Sequence, residues 1–540
     1  MTVQRIARLT SAMIAALAVV LMVRPAIAAE SVPGEYLVKY KTPGFMTMSA
    51  FRSVGGMRVM SDNPTAQLIK ITVAPGHEVQ TFSKLLSNSN VDYIVPNIKL
   101  SMFRAPLTAQ ALREQWALKK VRAQDAWTRA GNKGSHNVLV AVIDTGADYN
   151  HESLKPNMVP GHDFKDNTED PMDQTQEGGN PGHGTHCSGI IGGTGLVDGG
   201  IEGISPEVSI MPLRFLGPDG SGDLDSAIKA IDYAIAHKVQ VISASWGATV
   251  ETSQAQPLID AVKRAADAGV IFVAAAANDG ADNDSTSVYP ANAPGVAISV
   301  AASDASDAKP SWSNFGRSLV HLASPGDGIV STLPKNQYGP LSGTSMATPL
   351  VSGLVAFLKA QDADLTGAQV RALLQLTGAK VDIETACNCR VDAFAAVDAL
   401  MNKKMFITPA AATVAVGATL PFTATFGQAP LKFQVADASV ASISEGGTLQ
   451  GLKEGTTSVT VTDSKGQTST SLDIRVGAPA DHGGGGGGGG FPTPPGGGGG
   501  GGGGLPTPPG GGGSGSCPLG DQATCDQICQ AMPTLPFCKH

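Results

Sequence analysis

The sequence predicts an α/β protein: a parallel sheet with helices on both faces, preceded by an α+β block and followed by a small all-β sandwich. Three observations carry this. Apolar runs without polar alternation at 138–143, 239–243, 270–275 and 296–300 read as strands buried on both faces. Amphipathic stretches alternate with them: 224–237 sets Ala227, Ile228, Ile231, Ala234 and Ile235 on one face, and 258–268 is stopped by Gly269. Composition then shifts at Phe406, where short alternating runs at 413–416, 420–425, 432–435, 458–462 and 472–476 are punctuated by glycines. Of the remaining elements, 34–40 and 91–100 read as strands and 79–86 as a helix, which makes the α+β block. A helix beginning near Ser345, another at 365–376 and a final stretch at 391–401 close the α/β region.

The chain has 540 residues, 42% hydrophobic, so the supply of core is ample. Only 16% are charged and the net charge is −8, which excludes a basic nucleic-acid-binding surface as the main theme. Of the 66 glycines, 22 fall in 483–515, so the low complexity is confined to one insert. There, two Pro-Thr-Pro-Pro units interrupt glycine runs, the composition of a linker that is flexible in its glycines and stiff at its prolines.

At the amino terminus, Arg5 and Arg8 precede an apolar run at 11–23, and Ala26-Ile27-Ala28 offers a small-residue cleavage site. That is the layout of a secretory signal peptide, and the run is too short to span a bilayer comfortably. The expected organisation is a signal peptide (1–28), an α+β unit (29–105), the α/β domain (106–404), a β-sandwich (405–477), a Gly/Pro-rich linker (478–516) and a cysteine-rich tail (517–540). The product is expected outside the cytoplasm, extracellular or periplasmic, without a transmembrane segment. Cys517, Cys525, Cys529 and Cys538 form an even set in a tail too small for a core, so two disulfides are expected there. Cys387 and Cys389 flank one residue; a local disulfide and two free thiols are both open.

Three short motifs carry chemistry. Asp144 ends the apolar run 138–143, and the carboxyl ends of strands are where open α/β sheets build sites. His183 stands between glycines in His183-Gly184-Thr185-His186-Cys187. Ser345 opens an apolar helix in Gly343-Thr344-Ser345-Met346-Ala347-Thr348-Pro349, where the helix dipole favours developing negative charge. Each alone reads as a turn residue, a structural loop or a helix cap. Together they are the parts of an activated nucleophile, in the order Asp, His, Ser.

On these motifs the sequence resembles the subtilisin family of serine proteases, in its thermitase-like and proteinase K-like branches. Further matches are Gly203-Ile204-Ser205-Pro206, Ser245-Trp246-Gly247, Ala276-Ala277-Asn278-Asp279-Gly280, Tyr289-Pro290, Ser313-Asn314-Phe315-Gly316 and Ala323-Ser324-Pro325-Gly326. The resemblance implies an exported serine endopeptidase with a subtilisin-like sheet. Ser345 would be the nucleophile, His183 the base, Asp144 its orienting partner and Asn278 an oxyanion donor with the Ser345 backbone N–H. His186 would be structural and Cys187 a buried, non-catalytic thiol. Residues Ser221 and Gly222 resemble one strand that pairs with extended substrate, and Ser245, Trp246 and Gly247 the facing one. Val288 would floor the primary pocket, with Trp246 either narrowing it or turned away, which implies a preference for Ala, Val or Leu over Phe or Tyr before the scissile bond.

The same resemblance makes 29–105 an inhibitor-like propeptide, cut within 100–111, and 406–476 a bacterial immunoglobulin-like domain, for which binding a surface or matrix ligand and acting as a spacer are both open. Expected partners are therefore protein substrates and the chain's own propeptide. No cofactor is required for catalysis. Asp163, Asp166, Asp170 and Asp173 form either a structural calcium loop or a solvated acidic one. Ser153 stands where the family's strong calcium site expects an aspartate. A competing reading, a catalytically silent adhesion or binding protein on the same scaffold, would show a lost triad or oxyanion residue; all four are present.

Overall fold

The computed structural model describes residues 30–42, 56–105 and 115–477. The expected signal peptide, linker and cysteine-rich tail lie outside those residues.

The first unit comprises strands β1 (Ser31–Tyr40), β2 (Met57–Asn63) and β3 (Leu68–Val73), helix α1 (Glu78–Leu86) and strand β4 (Val91–Met102). They form an antiparallel sheet in the order β2-β3-β1-β4. Phe82 and Leu85 of α1 pack with Tyr36, Ile69 and Ile71 as a separate core. The β2–β3 hairpin is absent from the sequence reading, because β2 alternates half-buried and exposed residues with few apolar anchors.

The central unit starts with helices α2 (Trp116–Lys120) and α3 (Ala123–Ala130), then β5 (Leu139–Asp144), β6 (His162–Asp163), α4 (His183–Gly192) and β7 (Ser209–Arg214). It continues through β8 (Ser221–Asp223), α5 (Leu224–Ala236), β9 (Val241–Ala244), β10 (Trp246–Thr249), α6 (Thr252–Asp267), β11 (Ile271–Ala275) and β12 (Val288–Tyr289). Then come β13 (Ile298–Ser303), β14 (Leu322–Pro325), the hairpin β15 (Ile329–Leu333) and β16 (Gln337–Leu341), α7 (Thr344–Gln361), α8 (Gly367–Thr377), β17 (Ala379–Lys380), β18 (Cys389–Arg390) and α9 (Ala393–Met401).

The main sheet runs β17-β18-β14-β13-β11-β9-β5-β7-β6, parallel throughout except at β17. Its strands lack polar alternation because both faces are covered. Val140 and Val142 point into a core with α4 and α7, while Ala141 and Ile143 point into a second core with α5 and α6. The same split divides Ile271 and Val273 from Phe272 and Ala274. Helix α6 starts six residues before the predicted 258, with Pro257 inside it. Burial of Gln254, Ala255 and Leu258 holds that first stretch despite the missing proline N–H.

From Phe406–Thr408 to Ile474–Val476, short strands make several small sheets around their own core of Ile407, Phe422, Leu449, Val461 and Ile474. Phe406 and Ala410 instead belong to the core of the central unit, so the two units share apolar contacts at their junction. Among the described residues, no helix is long and apolar enough to cross a membrane.

Candidate active site

Strand β5 lies between β9 and β7. From β5 the chain builds β6 and β7 on one side, then crosses back to β9, β11 and β13 on the other. Such a reversal opens a crevice at the carboxyl ends of the strands. Asp144 is the last residue of β5 and only 1% exposed. Its Oδ1 accepts from the Thr145 N–H at 2.7 Å and lies 2.7 Å from His183 Nδ1. The proton of that bond sits on Nδ1, which leaves the lone pair on Nε2, an atom with no partner among the described residues.

His183 begins α4. The N–H groups of Gly182 and His183 both donate to Asn180 Oδ1, at 2.9 and 2.8 Å, which satisfies part of the helix start. A Cβ on Gly184 would stand 2.1 Å from the Gly146 carbonyl oxygen, so only glycine lets α4 descend onto the end of β5. Ser345 is the second residue of α7, where its N–H has no intrahelical acceptor. Cys187 Sγ stands 3.9 Å from His183 Nδ1 and 3.4 Å from the Ser345 carbonyl oxygen, which puts the two motifs side by side.

Asn278 follows Ala277, whose φ of 89° is a left-handed conformation costing on the order of 1–3 kcal/mol for a non-glycine residue. Thr344 holds the Asn278 amide: its N–H and Oγ1 both donate to Asn278 Oδ1, each at 2.9 Å. Those donors fix which end is oxygen and leave Nδ2 unpartnered. A Cβ on Gly343 would lie 2.7 Å from Ser345 Oγ, 2.9 Å from the Phe103 carbonyl oxygen and 3.1 Å from Asn278 Nδ2. Glycine here leaves space where nucleophile, amide and a carbonyl of the amino-terminal unit converge.

That carbonyl follows β4, which runs between β8 and β10. Leu100 and Ser101 pair antiparallel with Gly222 and Ser221 of β8, while Ser101 and Met102 pair antiparallel with Gly247 and Trp246 of β10. Beyond β4, the Met102 N–H donates to the Gly220 carbonyl, and the Phe103 N–H to that of Ser245, both at 3.1 Å. The Ala105 N–H donates to the Ser342 carbonyl at 2.9 Å. Between these anchors the Phe103 carbonyl accepts a hydrogen bond from Ser345 Oγ.

Comparison with known proteins agrees with this geometry. Residues 135–395 match the subtilase family and residues 403–474 a bacterial Ig-like domain of group 2. Thermitase of Thermoactinomyces vulgaris is 39% identical over 267 residues, 49% of this chain and 89% of thermitase. This chain belongs to the subtilase family. It is a serine endopeptidase. A thermophilic serine proteinase of Bacillus sp. (strain AK1) is 35% identical over 353 residues, 65% of this chain and 83% of that protein. The major intracellular serine protease of Bacillus subtilis (strain 168) is 38% identical over 248 residues, 45% of this chain and 75% of that protein.

The electrostatics of this subtilase's site follow from burial and charge. Burial, the largest single influence, pushes His183 down, but the Asp144 carboxylate, its hydrogen bond to the ring and the neighbouring Cys187 together hold the imidazole well above its usual value. Burial pushes the Cys187 thiol up, so Cys187 is a neutral apolar neighbour. His186 is lowered to about 3 by burial, and its Nε2–H donates to the Gly339 carbonyl at 3.1 Å, a structural arrangement.

The four acidic residues before His183 do not converge. Asp163 and Asp166 both pair with Arg214, Asp170 accepts from the Tyr149 hydroxyl at 2.9 Å, and Asp173 accepts from Asn180 and Thr185. Ser153 Oγ bonds the Tyr338 hydroxyl at 2.7 Å. Among the described residues the one group of three side chains close enough to share a metal is Asp144, His183 and Cys187. The acidic loop as folded does not fit a single calcium ion. Cys387 and Cys389 are joined as a disulfide.

Trp246, Gly247 and Val288 have distinct placements in the sheet beside β4. The Trp246 indole is fully buried, donates to the Ile143 carbonyl at 2.7 Å and packs edge-on against Phe215. Only its backbone faces β4. Val288 is buried and pairs with Thr249, two residues past Gly247. A Cβ on Gly247 would meet the Phe103 ring at 2.7 Å, so the wall beside that ring is a glycine. The position next to Ser345 holds the aromatic side chain of Phe103 from this chain's own strand. Sequence reading also missed Thr344 and Ser342 as positioning residues. Thr344 was visible inside its motif, but its grip on Asn278 spans 66 residues.

Proposed function

We propose that this chain is an exported serine endopeptidase that matures itself by cutting the Phe103–Arg104 bond with Asp144, His183, Ser345 and Asn278. One observation carries the reading: the Phe103 carbonyl sits on Ser345 Oγ while the flanking backbone is pinned by Gly220, Ser245 and Ser342. Main-chain pairing on both sides of β4 is how an extended peptide is gripped with little demand on its side chains. Ser345 Oγ attacks the Phe103 carbonyl carbon, and His183 Nε2 takes the hydroxyl proton. The developing oxyanion receives the Ser345 N–H and the unpartnered Asn278 Nδ2–H. Collapse breaks the C–N bond, and His183 returns its proton to the Arg104 amine. Water then enters, is deprotonated by His183 and releases the acyl group. Proteins outside the chain are cut by the same steps once the amino-terminal unit leaves.

The test is the purified Ser345→Ala chain beside wild type. Wild type is expected to yield a new amino terminus at Arg104, and Ser345→Ala to retain the Phe103–Arg104 bond. Maturation of pure Ser345→Ala, or a wild-type terminus elsewhere, overturns self-cleavage at this bond.

A further inference from the structure

Between the subtilase unit and the Ig-like unit lies a cleft of about 190 Å³. One water needs roughly 10–15 Å³ on the same measure, so a small ion fits with waters beside it. Its walls carry Arg317, His321 and Arg371 from one side, and Thr413, Asp473 and Arg475 from the other.

Arg317 is paired with Glu384, and Arg475 faces Asp473 loosely at 3.8 Å. Arg371 has no carboxylate partner among the described residues. Its Nη1 lies 3.4 Å from the Ala297 carbonyl and 3.1 Å from His321 Nε2. The second contact is anomalous. His321 Nδ1 accepts from the Ser299 N–H at 2.8 Å, so it cannot carry the ring proton. The proton is therefore on Nε2, and Nε2–H faces a guanidinium that can only donate. Moving the proton to Nδ1 only transfers the conflict to the Ser299 backbone N–H. Burial, followed by the Arg371 charge, lowers His321 well below its usual value, in keeping with a neutral ring. Two donors that meet without an acceptor between them, one of them charged and without a carboxylate partner among the described residues, call for an anion between or beside them.

We propose that this cleft binds one small tetrahedral oxyanion, inorganic phosphate or sulfate, held by Arg371, His321 Nε2–H and Arg475. Because Arg371 and His321 stand on one unit and Arg475 on the other, the anion would tie the Ig-like segment to the protease. The Ser318 Oγ to Thr413 Oγ1 bond at 2.9 Å already closes one edge of the same cleft.

The test is calorimetric titration of the full Ser345→Ala chain, used to prevent cleavage, with sodium phosphate and separately sodium sulfate at constant ionic strength in chloride. One anion per chain is expected for at least one of the two, and the arm that binds identifies which. Arg371→Gln should weaken binding about tenfold or more, the scale of a lost charged hydrogen bond. Arg475→Gln, on the partly exposed rim, should weaken it by a smaller factor, and it guards against misfolding of the Arg371 variant. Absence of binding by either anion at millimolar concentration overturns the site. So does equal affinity in wild type and both variants, provided their thermal unfolding shows them folded.

Discussion

Two buried acid–base pairs stand at the ends of neighbouring strands and have opposite fates. Asp144 ends β5 and Arg214 ends β7, directly opposite it in register, while Asp163 on β6 is the next partner across. In the Asp163–Arg214 pair both carboxylate oxygens of Asp163 are engaged, while Arg214 Nε lacks a partner among the described residues. Asp163 Oδ1 accepts from the Lys165 and Asp166 N–H groups, Oδ2 takes Arg214, and Arg214 also reaches Asp166 at 2.7 Å. The Asp144–His183 pair keeps Asp144 Oδ2 and His183 Nε2 without partners among the described residues. A buried pair whose spare atom is a guanidinium donor holds structure; one that keeps a basic nitrogen free at a crevice retains the capacity to move a proton.

The comparison breaks most visibly at Asp144. Asp144→Asn should lower kcat by about 10⁴, a drop first measured in another serine protease, with the thermal midpoint little changed. The residual activity has a sign that can be checked. Asp144 raises His183, and catalysis needs the neutral base, so removing the carboxylate lets burial dominate and moves the acid limb of kcat/KM to lower pH. An unshifted acid limb would mean that Asp144 does not set the His183 charge.

Arg214→Met should do the reverse. It leaves Asp163 buried and uncompensated, costing about 3–5 kcal/mol in chemical denaturation while kcat per folded molecule stays near wild type. The double variant Asp163→Leu with Arg214→Met should recover most of that loss, since apolar replacement of a whole buried pair is often neutral.

Asn278→Ala sharpens the contrast on the catalytic side. Removing the unpartnered amide should cost about 10²–10³ in kcat, a magnitude borrowed from a subtilisin, with KM and unfolding nearly unchanged. The smallest effect belongs to Cys187→Ala, which should keep peptide hydrolysis within about tenfold of wild type, because the thiol is neutral and takes no proton. A large loss there would make Cys187 part of the chemistry.

What the amino-acid sequence determined by itself is local. Apolar runs such as 138–143 and 270–275 announced a covered parallel sheet, because strands sandwiched between two helical layers need no polar face. The three motifs are short enough that Asp144, His183 and Ser345 could be picked out with their neighbours, and the resemblance they carry added Asn278. Tertiary structure decided everything that depends on register between distant segments. Phe103 stands on Ser345 only because β4 pairs with β8 and β10, strands more than a hundred residues later in the chain. The direction of the Trp246 ring was open in sequence, since a strand residue can face either side, and packing on Phe215 chose the interior. The sequence left the acidic loop open between a cation site and a solvated loop; in the fold Asp163 and Asp166 take Arg214, 51 and 48 residues away, as their positive partner. Sequence lists which charges exist; a buried charge takes as partner whatever the folded chain brings within reach, and that distance belongs to the fold.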